Sequence, residues 1–201
     1  TGRYVLWINP DAELLDDGIR HLVRYMDEHP NAGILGPQTL NPDGSRQMTC
    51  RSFPLYKTGL FNRRSLLTKW FPRNPFSQRY LRLNLDTSHV QPVDWFSGAC
   101  LLHRREVSDQ IGELDERFFM YCEDVDFCFR ARERGWEILF HPSAHVLHRA
   151  EASSSQLPYR MVIEHNRSMW RYYTKHFHRS ILGDLFVGIG IGIRCGFLLL
   201  G

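Results

Sequence analysis

Tyr4-Val5-Leu6-Trp7-Ile8-Asn9-Pro10-Asp11 is a short apolar run followed by a polar turn that ends in a carboxylate. A run of this length, bounded by Asn and Pro, reads as a buried strand whose carboxyl end is the turn. Downstream, Leu14, Leu15, Ile19, Leu22, Val23 and Met26 are spaced like one face of a helix that stops before Pro30. Gly33-Ile34-Leu35-Gly36 predicts another short strand, and Asn41-Pro42-Asp43-Gly44 a tight turn after it. Strand, helix, strand points to an α/β layer architecture, and the rest of the chain keeps to it. Val90 to Leu102 returns to strand character around Gly98-Ala99, and Trp136 to Phe140 is a further strand. Glu123 to Arg134 is helix-compatible, with Gly135 where a C-terminal cap belongs, and Met161 to Phe177 predicts another helix.

The 201 residues suffice for one domain with a sizeable core. With 43% apolar and 23% charged residues, the composition is that of a folded protein and excludes a disordered one. A net charge of +3 is too small to argue for nucleic acid, but it is unevenly spread. Between Gly44 and Leu85 no residue is acidic, while Arg46, Arg51, Lys57, Arg63, Arg64, Lys69, Arg73, Arg79 and Arg82 all fall there. Aromatic residues and prolines interrupt this stretch, which predicts an irregular or helical insertion. It holds no recognised nucleic-acid motif, so anionic lipid headgroups or a lipid-diphosphate acceptor account for it better. The five cysteines, an odd number with no Cys-x-x-Cys pair, argue against a disulfide framework or a zinc ribbon and fit a reducing compartment.

Ile181 to Gly201 is apolar apart from Asp184 and Arg194, close to the about 20 residues that a spanning helix needs. It reads either as a membrane-associated segment or the start of a transmembrane helix, or as a helix finishing the core or a dimer interface. The expected organisation is a domain over residues 1–178 and an apolar tail over 179–201. The chain starts at Thr1 and runs directly into an apolar strand, the expectation for a fragment that lacks its true N-terminus.

Four constellations could carry chemistry. Asp11 stands just past a strand end, where ligands gather in open α/β sheets; it could bind Mg2+ or Mn2+ that bridges a diphosphate, or simply cap the next helix. Glu123-Asp124-Val125-Asp126 follows the apolar block Phe118-Phe119-Met120-Tyr121. Crowded carboxylates raise one another's pKa and can prepare a general base, although acids also favour any helix N-terminus. His141, His145 and His148 follow the Trp136 strand, but His145 and His148 would point to opposite faces, so a three-histidine zinc site is not expected. One of them sharing a metal with Asp11 is the better reading. In Asp94-Trp95-Phe96-Ser97-Gly98-Ala99, the small Gly-Ala step permits close approach of a ligand, and Trp95 is either a flat face for a sugar ring or a buried core residue.

Taken in order, these segments resemble the family-2 glycosyltransferases of the GT-A fold, especially the bacterial rhamnosyltransferase-like branch, from Thr1 to about His178. Leu6-Trp7-Ile8-Asn9-Pro10-Asp11-Ala12-Glu13 resembles the family's metal-binding segment, with Asn9 where many members carry a first aspartate. Asn41-Pro42-Asp43-Gly44-Ser45, Arg51-Ser52-Phe53-Pro54, Val93 to Ala99 and Leu114 to Phe119 are similar to its continuation. Tyr121-Cys122-Glu123-Asp124-Val125-Asp126-Phe127-Cys128-Phe129-Arg130 is the most specific element. The resemblance implies a Rossmann-like mixed sheet flanked by helices, lacking the N-terminal strands that cradle the nucleotide.

It also implies roles. Asp124 would be the general base of an inverting hexosyl transfer. Asp11 would hold Mn2+ or Mg2+ on the donor diphosphate, and His148 would complete that site. Glu123 and Asp126 would position the acceptor or support the base, and Asp94, Trp95 and Gly98 would line the donor and acceptor pocket. The implied partners are a nucleotide-sugar donor carrying rhamnose or another hexose and a cell-envelope glycan or lipid-linked acceptor. No nucleic acid is expected, and the implied location is the cytoplasmic face of the cell membrane. A metal-assisted hydrolase or a non-catalytic carbohydrate- or membrane-binding module would use the same residues differently: the first needs no nucleotide, the second no Asp124.

Overall fold

A computed structural model describes residues 2–54, 74–149, 158–178 and 180–200. Its main sheet is built from β1 (Tyr4–Ile8), β2 (Ala12–Leu15), β3 (Ala32–Leu40), with β4 (Cys50–Arg51) outside it, then β5 (Gln91–Pro92). β6 (Trp95–Phe96) pairs with β4 in a small second sheet, and β7 (Cys100–Arg104) and β8 (Glu137–His148) complete the main one. The order is β1-β7-β3-β8-β2, with β5 beside the first half of β8. β3 and β8 run parallel, whereas β7 lies antiparallel between β1 and β3, so the sheet is mixed. The helices are α1 (Gly18–Glu28), α2 (Pro75–Leu81), α3 (Arg105–Ile111), α4 (Glu123–Glu133), α5 (Pro158–His176) and α6 (Ile181–Leu200).

Successive strand residues serve opposite faces, and the core divides accordingly. Leu35, Leu102 and Leu139 pack with Leu22 and Met26 of α1. Ile34, Leu101, Ile138 and Phe140 pack on the other face with Val107, Phe127 and Tyr172 from α3, α4 and α5. Gly36 lets the small sheet dock: a Cβ there would stand 2.3 Å from the Phe96 ring. Gly135, at φ +88°, supplies the left-handed turn after α4 that the sequence predicts. The five cysteines are free.

Several element boundaries change, and the stretch read as one strand from Val90 to Leu102 divides among β5, β6 and β7. Leu14 and Leu15 belong to a strand and not to the helix, which begins only at Gly18. Their apolar spacing suits a helix, but residues Ala12–Leu15 pair antiparallel with His145–His148 at the end of β8. A free sheet edge offers the backbone more hydrogen bonds than an isolated first helical turn, and Asp16, at φ 49°, turns the chain between the two. The last strand also runs past Phe140 to His148, with residues 142–144 out of the ladder to β3. Pro142 has no N–H to give, and the resulting bulge re-aims the end of the strand, His145 to His148. Most of the basic insertion, residues 55–73, lies outside the described residues; its end forms α2, capped by Asn74.

Candidate active site

Two strand ends form the first corner. The turn after β1 brings Asp11 beside β8, where the Asp11 carbonyl accepts from the Arg149 N–H at 2.9 Å. Nε2 of His148 then lies 3.3 Å from Oδ1 of Asp11. Gln47, which comes after the Asn41–Gly44 turn, orients the imidazole. Its Nε2 donates to the His148 carbonyl oxygen (2.8 Å), leaving its Oε1 to accept from Nδ1 (3.0 Å). With Nδ1 donating to Gln47, it is Nε2 that faces the carboxylate. An imidazole nitrogen and a carboxylate oxygen at this distance share either a proton or a cation. Asp11 and His148 thus fit a two-ligand seat for a divalent cation, with Gln47 as the outer partner that fixes the ligand. Among the described residues, no group of three or more His, Cys, Asp or Glu could hold a metal by itself.

Asp124 forms the second corner, in the first turn of α4. Its Oδ2 accepts from the Gly98 N–H and its Oδ1 from the Val125 N–H, both at 2.8 Å. The two corners share one turn: the carbonyl of Ala99, next to Gly98, accepts from the N–H of Asn9 at 3.0 Å. The Gly98-Ala99 step therefore has the base candidate on one side and the Asn9-Pro10-Asp11 turn on the other. Burial pushes the Asp124 carboxyl up to about 6. Burial and then the Asp124 charge push Glu123 up to about 7, and Oε2 of Glu123 is buried without a hydrogen-bond partner among the described residues. The chain enters α4 through Tyr121 and Cys122 at φ 68° and 66°, left-handed geometry that costs a non-glycine residue about 1–3 kcal/mol each.

The remaining expected residues lie around this turn. Asp94 accepts from the Phe53 N–H at 2.8 Å and pairs with Arg132, tying the loop after β4 to α4. Trp95 is 8% exposed and donates to the Ser52 carbonyl at 2.9 Å; the Arg51 guanidinium lies over its ring. Its place is in the core beneath the site, not on an open face. Asp126 is fully buried and faces away from Gly98 into a cage of Arg130, Lys175 and His176. His141 is buried near Tyr25 and His21, apart from His148. Gln47 escaped the sequence reading, since its only signal is a polar residue soon after a turn, 101 positions from its partner.

A mixed sheet flanked by helices is the GT-A fold, and the comparisons agree. A crystal structure of GalNAc-T7 with UDP, GalNAc and Mn2+ superposes with a TM-score of 0.53 at 14% identity, covering 88% of this chain and 33% of that one. The family model described as "Glycosyltransferase like family 2" matches residues 5–170. The chain belongs to that family. It is 38% identical over 168 residues to N-acetylglucosaminyl-diphospho-decaprenol L-rhamnosyltransferase of Mycobacterium tuberculosis, covering 83% of this chain and 53% of the relative. It is 34% identical to the low-salt glycan biosynthesis hexosyltransferase Agl10 of Haloferax volcanii, covering 67% and 38%, and 25% identical to the rhamnosyltransferase WbbL of Escherichia coli, covering 86% and 62%. The chain thus spans about half the length of the relatives it matches.

Proposed function

We propose that this chain is the catalytic part of an inverting glycosyltransferase that moves rhamnose, or another hexose, from a nucleotide-diphosphate sugar to a lipid-linked cell-envelope glycan. The observation that carries the reading is Asp124, a raised carboxylate held by the Gly98 N–H beside the strand-end pair Asp11 and His148. Asp124 takes the proton from the acceptor hydroxyl as its oxygen attacks the anomeric carbon. The bond from that carbon to the diphosphate breaks in the same step, and the nucleoside diphosphate departs with inversion. Glu123, its inner oxygen unpartnered, orients the acceptor beside the base. Asp94 and Trp95 hold residues 51–53 as a wall of the pocket. Asp11 and His148 would hold the divalent ion, Mn2+ or Mg2+. When bound, that ion supplies charge stabilisation to the departing diphosphate.

The lipid-linked acceptor is taken from the relatives' names, and α6 supports membrane association. It is 20 residues long and apolar enough to cross a membrane, and none of its residues is buried. We place the domain over residues 1–178 at the cytoplasmic membrane face, with 179–201 as its lipid contact.

The test is nucleoside-diphosphate release by the full-length protein. A panel of sugar nucleotides is offered with Mn2+ or Mg2+ and a polyprenyl-diphosphate N-acetylglucosamine acceptor. Release should need metal and acceptor, and the product should show the inverted anomer by NMR. Asp124→Asn should lower kcat about 10²–10⁴-fold while donor binding persists. In the wild type, kcat should rise with pH through about 6 to 7, because the base must be ionised. Release without glycosylated acceptor would mean a hydrolase, and an unaffected Asp124→Asn variant would remove Asp124 from the mechanism.

A further inference from the structure

Asp126 presents a separate problem from Asp124. It is fully buried, and a carboxylate there survives only if it is paired and hydrogen-bonded. Three groups do this at 2.7 Å each: Nε of Arg130 on its own helix, and Nζ of Lys175 and Nε2 of His176 from the end of α5. Burial acts to raise its pKa, but the hydrogen bonds from His176, Lys175 and Arg130 prevail and hold it below the usual carboxylate range. Lys175 also reaches Asp115 at 2.7 Å, which Arg117 grips at 2.6 Å, so the loop before α4 is fastened to the same point.

A second tie lies earlier on α5. The Ser168 hydroxyl donates to the Met120 carbonyl at 2.8 Å, immediately before the left-handed pair Tyr121-Cys122. The His165 ring meets Tyr121 edge-on at 5.0 Å between centroids. α5 therefore grips this entry on both sides, at Met120 before it and at Asp126 after it, with Asp124 between.

We propose that Lys175 and His176 are positioning residues for Asp124, acting through Asp126 to fix the rotation of the first turn of α4. Residues two apart on a helix lie about 200° apart around its axis, so a clamp on Asp126 sets the direction in which Asp124 points. Without it, the left-handed entry relaxes, the first turn rotates, and the Gly98 hydrogen bond is lost. The inference rests on Asp124 being the base. Both residues lie beyond the 5–170 that the family model matches.

Release kinetics of the full-length enzyme at saturating donor and acceptor test it. Lys175→Met and His176→Ala should each lower kcat about tenfold or more, since small misplacements at a reacting centre are costly, with donor KM within about twofold. The rising limb of the kcat–pH profile should move to lower pH as water reaches Asp124, whose other charged neighbours, Glu123 and Arg51, are unchanged. Lys175→Arg should restore most of the rate. Ser168→Ala, which removes one neutral hydrogen bond, should show the same kcat loss in milder form and covers the case in which the charge variants do not fold. Folded variants with wild-type kcat and an unmoved limb, or a loss that only tracks the folded fraction, would overturn the positioning role. A wild type that releases nothing would instead overturn the transferase reading.

Discussion

At the scale of single residues, the acidic triplet shows how environment divides like groups. Glu123, Asp124 and Asp126 sit in one helical turn, yet burial raises two of them while three partners hold the third down. For Glu123 this has a stability consequence. The unfolded chain ionises it near 4.5, but the fold keeps it protonated to about 7. A carboxyl raised in this way adds stability below its unfolded pKa and loses it as pH climbs to the folded value. Discounted for its partial solvent contact, the ionised form weighs against the fold by about 1–2 kcal/mol at pH 8. Glu123→Gln should therefore raise Tm at pH 8 by about 2–8 °C and leave it nearly unchanged at about pH 3.5, below the unfolded value, by calorimetry. An equal shift at both pH values would mean that its charge is not disfavoured in the fold.

At the scale of elements, the proposed metal corner depends on where β2, β8 and the turn after β3 meet. Ala12 registers opposite His148, which sets Asp11 beside that ring, and the bulge at 142–144 sets the register. Gln47 is delivered by the hairpin-like turn after β3, where its N–H donates to the Thr39 carbonyl at 2.9 Å. Gln47→Leu removes the group that holds Nδ1 protonated and Nε2 outward. It should weaken the apparent Mn2+ affinity about 10–100-fold in metal titrations of the release assay, with kcat at saturating metal little changed. Unaltered Mn2+ dependence would show that Gln47 does not tune a metal ligand at His148.

At the scale of the whole molecule, α6 inverts the usual rule for a surface helix. Its two charged residues turn toward α5: Asp184 accepts from the Tyr173 hydroxyl at 3.0 Å, and Arg194 Nη1 donates to Asn166 Oδ1 at 2.6 Å. The outward side carries Ile181, Leu182, Leu185, Phe186, Ile189, Ile193, Phe197 and Leu200, each more than half exposed. An apolar face of about 30 Å is far longer than a water-facing helix of a monomer needs and suits the edge of a bilayer. With Asp184 in its first turn and Arg194 in its second half both tied to α5, α6 lies along that helix. Phe186→Glu with Ile193→Glu should abolish sedimentation with anionic lipid vesicles while leaving release onto a short-chain, water-soluble acceptor intact. Sedimentation unchanged by the two charges would place the lipid contact elsewhere.

Much of this was legible from residue order alone. The β1 run with its carboxylate turn, the Gly135 cap and the helices over α4 and α5 come from spacing, because sterics within a few residues select strand or helix. The motif order likewise identified the family. Other features depend on partners far along the chain, and local spacing cannot choose among competing partners. Leu14 and Leu15 fit a helix until β8 supplies an edge to pair with. Trp95 fits a sugar platform until the docked small sheet buries it. Asp126 looks equivalent to Asp124 until Lys175 and His176, about fifty residues on, enclose it. Gln47 carries no signal until His148 arrives beside it. Backbone periodicity is a short-range property and so could be read directly; the direction of each side chain in the site is set by packing, which only the assembled fold decides.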